Sequence, residues 1–151
     1  MAFQYAVRTD KDTHFTGAIA QNAKEDENIS LPVALEGMNG NARGLIRTIM
    51  LQSDQNLAWE LAFWSGDGFD STDVDLDTFI SRWTFAVADG IRYGGAGQYY
   101  YYIEGLALPY VDDDNSGELH LSLVNRSATG KNAGGTGEVA VELSIQPEGF
   151  E

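Results

Sequence analysis

Apolar and polar residues alternate with period two through most of the chain. That is the spacing of a half-buried β-strand, not of a helix. The clearest run is EVAVELSIQ: Val139, Val141, Leu143 and Ile145 share one face, and Glu138, Ala140 and Glu142 the other. Phe3, Tyr5 and Val7 share a face of a first short strand, and Ile29, Leu31, Val33 and Leu35 of a second. Leu45, Ile49 and Leu51 line one face of GLIRTIMLQS; Leu57, Trp59, Leu61 and Phe63 line one face of LAWELAFWS. TFISRWTFAV puts Phe79, Trp83, Phe85 and Val87 together, and ELHLSLVNR puts Leu119, Leu121 and Leu123 inward.

Turn-forming stretches separate these runs. SDQN, VDDDNSG and SATGKNAGGTG carry the Gly, Asn, Asp and Ser of tight turns, and ADGIRYGGAG reads as loop or bulge. Residues 13–24 are the one place for a short helix. About eight strands at spacings of roughly 8–12 residues or more predict an all-β fold. The expected architecture is an antiparallel β-sandwich, jelly-roll-like, with little helix. A length of 151 residues makes it a single domain, 1–151, able to bury a core without disulfides.

One run departs from simple alternation. GGAGQYYYYIEGLALPY places four tyrosines in succession, Tyr99 to Tyr102, with Tyr110 beyond. A strand turns successive side chains to opposite faces, so this run carries aromatics on both. Tyr99, Tyr101 and Ile103 make one face; Tyr100, Tyr102, Glu104, Leu106, Leu108 and Tyr110 make the other. Pro109 lacks an amide donor, which places the end of the strand at an edge or off the ladder. Trp64 falls on the opposite face from Trp59 and Phe63. Tyrosine brings wide apolar area and a polar tip at low entropic cost, which suits an interface. Trp64, Tyr100, Tyr102, Tyr110 and Phe150 are therefore the candidate interface residues; stacking of carbohydrate on exposed tyrosines is the alternative use.

Charge narrows the partners. Asp and Glu number 23 against 9 Lys and Arg, a formal net of −14. Phosphate backbones call for clustered basic residues, and no such cluster occurs, so neither nucleic acid nor an anionic membrane is an expected partner. No apolar stretch approaches the length of a membrane span. The opening MAFQYAVRTD has neither the basic start nor the apolar run of an export signal, and the chain has no cysteine.

Candidate chemistry is sparse. The loop GDGFDSTDVDLD carries Asp67, Asp70, Asp73, Asp75 and Asp77. Calcium takes several oxygens from one flexible loop, so Asp73, Asp75 and Asp77 are the candidate calcium ligands. A solvated acidic loop that discourages edge-to-edge pairing explains the same residues without an ion, and no metal or cofactor is assigned. DDDNSGE begins like a calcium loop at Asp112 and Asp114, but Leu123 stands where a bidentate Glu is needed, and a hairpin turn at Gly117 fits better. His14 and His120 lack metal-ligand spacing, and no nucleophile elbow occurs. No enzymatic activity is assigned.

The stretch LPYVDDDNSGELHLSLVNRSATGKNAGGTGEVAVELSI, residues 108–145, resembles small β-rich virion structural proteins of tailed bacteriophages, of the kind that decorate or cement capsids. LAWELAFWSGDGF and DLDTFISRWTF echo it. The resemblance implies a non-enzymatic sandwich or jelly roll that oligomerises, often as a trimer. It would be made in the host bacterial cytoplasm and sit on the virion against the major capsid protein or other virion proteins. A tail, baseplate or fibre component is the neighbouring alternative, and a carbohydrate-binding sandwich module the second.

Overall fold

The alternating runs pair edge to edge in two antiparallel sheets. The computed structural model describes residues 4–9, 15–24, 29–33, 42–66, 78–93, 97–112, 116–135 and 138–148. Among them lie β1 (Tyr5–Arg8), β2 (Ile29–Pro32), β3 (Arg43–Ser53), β4 (Trp59–Trp64), β5 (Phe79–Phe85), β6 (Ile91–Tyr93), β7 (Gln98–Ile103), β8 (Leu108–Val111), β9 (Glu118–Asn125) and β10 (Ala140–Pro147). A single 3-10 turn, Val87–Asp89, precedes β6. The larger sheet runs β1-β10-β3-β7-β6, with β8 also on β3; the smaller runs β2-β9-β4-β5.

The pairing is nested. β1 pairs with β10, β2 with β9, β3 with β7 and β8, and β4 with β5. A long hairpin folded over on itself across two sheets gives this order, and it is a jelly roll. The fold is thus an all-β sandwich of the expected type. Between the sheets lie Leu31, Ile49, Leu51, Trp59, Leu61, Phe63, Leu119, Leu123, Val141, Leu143 and Ile145, each essentially inaccessible to water. At the flanks the sheets approach each other. The Tyr5 hydroxyl donates to the Val33 carbonyl at 2.8 Å, and the Ser81 hydroxyl to the Pro109 carbonyl at 3.3 Å.

Two single-residue bulges and one break reset which residues face inward. In β3, Ser144 pairs with Thr48 but Ile145 pairs with Ile46, so Arg47 is an extra residue. The bulge makes Ile46 buried where simple alternation expects Leu45. In β5, Phe63 pairs with Ser81 and Trp64 with Phe79, so Ile80 is extra and Phe79 turns away from Trp83 and Phe85. Val87 joins the 3-10 turn and is exposed. The tyrosine run is also broken. β7 ends at Ile103, Gly105 takes φ +74°, and β8 restarts at Leu108. Positive φ is readily open to glycine and costly for other residues, so this is where the strand resets its faces. Two further strands follow from these details: β6 forms within the stretch read as loop, and the tyrosine strand counts twice. No helix forms over residues 15–24, the described part of 13–24.

Tyr101 locks the β3–β4 connection. Its side chain is fully buried, and its hydroxyl accepts from the Leu57 N–H at 3.0 Å. The same hydroxyl lies 2.7 Å from Asn56 Oδ1 and 2.9 Å from the Leu57 carbonyl, either of which takes its proton. A Cβ on Gly90 would lie 2.3 Å from Asn56 Oδ1 and 3.0 Å from Tyr101 Cζ, so glycine lets the β5–β6 connection close over this knot. Deleting the hydroxyl strands a buried donor, which costs about 1–3 kcal/mol. Burial raises the Tyr101 phenol from 10.0 to about 12, and raises Tyr110 as well. A phenol whose folded pKa is raised stabilises fully below its unfolded value near 10 and loses that contribution as pH climbs toward 12. In urea titrations the wild-type midpoint should therefore fall from pH 10 upward. Tyr101→Phe should start lower at neutral pH and decline less steeply over the same range.

Candidate functional site: an aromatic strip on the larger sheet

The outer face of the larger sheet is set by register. Ala140 aligns with Gln52, Tyr100 and Ile91, and Arg8 aligns with Glu142, Met50 and Tyr102. Tyr93 pairs with Gln98 and points the same way as Ile91. Ile91, Tyr93, Tyr100 and Tyr102 thus form a strip along the last two strands. Tyr93 is 60% exposed, Ile91 57% and Tyr102 56%. Large apolar side chains open to this degree on neighbouring strands make a contiguous patch, whereas scattered ones need no explanation.

The strip has relief. Tyr93 meets Tyr100 edge-on, with ring centroids 5.2 Å apart and planes at 83°. The Tyr102 hydroxyl donates to Glu104 at 3.1 Å, and that bond raises its pKa. The opposite face of β7 is spent on the core: Tyr101 is fully buried, and Tyr99 and Ile103 pack against the core from its margin. The faces of the tyrosine run divide as their alternation implies, up to Gly105.

Beyond Gly105 the expectation fails. Tyr110 does not share the outward face; it is 2% exposed and sits over Gly44, where a Cβ would lie 2.8 Å from its hydroxyl. Gly44 is its partner across the ladder, and the missing side chain makes room for the ring. Trp64 is also corrected. It does face away from Phe63, yet only 3% of it is exposed. Phe79, displaced by the Ile80 bulge, packs edge-on against it at 5.2 Å. Neither Trp64 nor Tyr110 offers a ring to a partner. Tyr100 and Tyr102 keep their places in the strip. Phe150, Asp67, Asp70, Asp73, Asp75, Asp77, Asp114 and His14 lie outside the described residues.

Two members of the strip, Ile91 and Tyr93, escape the alternation pattern. Their signal is only I-R-Y between glycines, too short to be told from a loop by periodicity alone.

The other charged clusters tie the fold together. On the outer face of the smaller sheet, Glu60 is buried and takes Arg82 at 3.2 Å and the Arg126 guanidinium, which also donates to Asn22. At one end of the sandwich, fully buried Lys131 reaches Asp54 at 3.0 Å and donates to the Asn132 carbonyl. This pairing joins two loops. Asp112, buried, accepts from the Ser116 and Gly117 amides and so ties down the β8–β9 connection, where Gly117 takes the expected positive φ of +79°. The expected hairpin does not form, because β8 and β9 lie in different sheets and the connection crosses between them. Among the described residues no group of three His, Asp or Glu side chains converges as a metal site, and no helix is long and apolar enough to cross a membrane.

Comparison with protein-family models and with curated proteins finds no match.

The contrast between exposed and buried aromatics is measurable by urea unfolding. Tyr93→Ser and Tyr102→Ser should each leave the stability of the single chain within ~0.5 kcal/mol of wild type. Trp64→Ala, which empties a filled site, should lose about 3–5 kcal/mol.

Proposed function

We propose that this chain is a non-enzymatic virion structural protein, a capsid decoration protein that stabilises a phage head through contacts between subunits. The observation that carries the reading is the strip on β6 and β7, with Ile91, Tyr93 and Tyr102 standing open and Tyr100 half-buried beside them, on an otherwise well-packed jelly roll. A jelly roll leaves short loops and two broad sheet faces, a shape used among others in capsid and lectin domains. Fold alone does not choose between those uses. The relief of the strip bears on the choice. The perpendicular Tyr93 and Tyr100 rings form a ridge suited to interlocking with protein side chains, and that pair offers a sugar no coplanar platform.

In this reading, aromatic anchors at the centre of the patch supply most of each contact, and the major capsid protein or another virion protein receives the rest of the surface. Repetition on a lattice then multiplies contacts that are weak singly. The resemblance of residues 108–145 to phage decoration proteins supports the same reading.

Quantitative mass spectrometry of purified particles tests it. On the order of hundreds of copies per particle is expected, since decoration follows the capsid lattice. A handful or a dozen would move the protein to the tail, baseplate or fibre. Its absence from particles would overturn the virion reading.

A further inference from the structure

We propose that the strip on β6 and β7 is the contact surface for a second copy of this chain, met through its own identical strip. The inference rests on the reading of the chain as an assembly module and names the partner at that surface.

Charge selects the face. Two chains that each carry −14 repel wherever acidic surfaces meet. The outer face of the larger sheet escapes this. Arg8 pairs with Glu142 and Arg43 with Glu148, and Glu104 accepts from the Tyr102 hydroxyl. Two arginines thus neutralise two of the glutamates on this face, and the ridge itself carries no charge. A copy can approach along the ridge with few like charges brought together.

Area points the same way. Tyr93, Tyr102 and Ile91 are each more than half open, which leaves roughly 300 Å² of apolar surface, and Tyr100 and Met50 add to it. A standard interface takes about 800 Å² from each partner, of which about 450–500 Å² is apolar. The strip is about the size of the apolar centre of one such interface.

Symmetry follows from where the open rings lie. Of the large apolar side chains left exposed among the described residues, Ile91, Tyr93 and Tyr102 share this strip, while Val87 lies on the 3-10 turn and Phe79 is engaged edge-on by Trp64. A patch that meets its own copy closes with two-fold symmetry, whereas a ring requires two different complementary patches. The perpendicular Tyr93 and Tyr100 rings make a ridge, and two such ridges can pack side by side when one strip is rotated by half a turn.

Light scattering coupled to size exclusion tests this on the full chain. The wild type is expected at twice 16.5 kDa. The double variant Tyr93→Ser, Tyr102→Ser is expected at the single-chain mass, with an unchanged circular-dichroism spectrum and a single cooperative urea transition. A wild type at the single-chain mass at ~100 µM, far above a micromolar dissociation constant, would overturn the inference. So would a trimer, the state that the family resemblance implies, or a pair that survives the double substitution. Particle analysis separates this from the broader reading. A monomer in solution that is abundant on particles sinks the pairing and leaves the virion role standing. A tyrosine-dependent pair that never joins particles does the reverse.

Discussion

Everything in this fold depends on one strand serving three neighbours. β3 is 11 residues long; along one edge it holds β10, and along the other it holds β7 and then β8, end to end. A single strand can do this only if its inward face is continuous with the core over its whole length. Sheet twist works against that, because side chains drift out of line over so many residues. The Arg47 bulge takes up the drift: Ile46 points into the core on one side of it and Ile49 and Leu51 on the other. Opposite the bulge, the gap between β7 and β8 absorbs the same kink, with Gly105 in the left-handed conformation and the Leu106 amide bonded to the Arg47 carbonyl at 3.0 Å.

That break is what divides the aromatic residues between core and surface. Before it, Tyr100 and Tyr102 point outward and Tyr101 inward. After it, Tyr110 belongs to the interior and lies over Gly44. Had the strand run on unbroken, Tyr110 would have extended the outer strip, and the space above Gly44 would have gone unfilled. The surface that remains is short, sits at the edge of the sheet, and holds just the residues that the core does not need.

The sequence discloses the ladders better than the faces. The runs Leu57–Phe63, Leu119–Leu123 and Val139–Ile145 alternate cleanly, and each buries the residues its period assigns. Errors fall where one residue is inserted: Leu45 in place of Ile46, and Phe79 grouped with Trp83. Bulges have weak local signatures, because they are fixed by the partner strand as much as by the bulged one. Trp64 shows a different limit. Its face was legible, but its burial comes from Phe79, a neighbour across the sheet that the bulge puts in place. Ile91 and Tyr93 were missed for want of length, since three residues carry almost no period.

The nesting of the strands has a temporal side. Tyr5 pairs with Ile145 and Arg8 with Glu142, so the first strand made is held by the last. A chain emerging from the ribosome can form the β4–β5 hairpin early, but β3 must wait for β10 before both its edges are covered. Contacts between residues so distant in sequence fold slowly, and unpaired strand edges stay open to other chains in the meantime. The acidic surface then has a use during synthesis as well as after it. Nascent copies that crowd one another while their sheets are incomplete are kept apart by their own charge until the two ends of the chain meet.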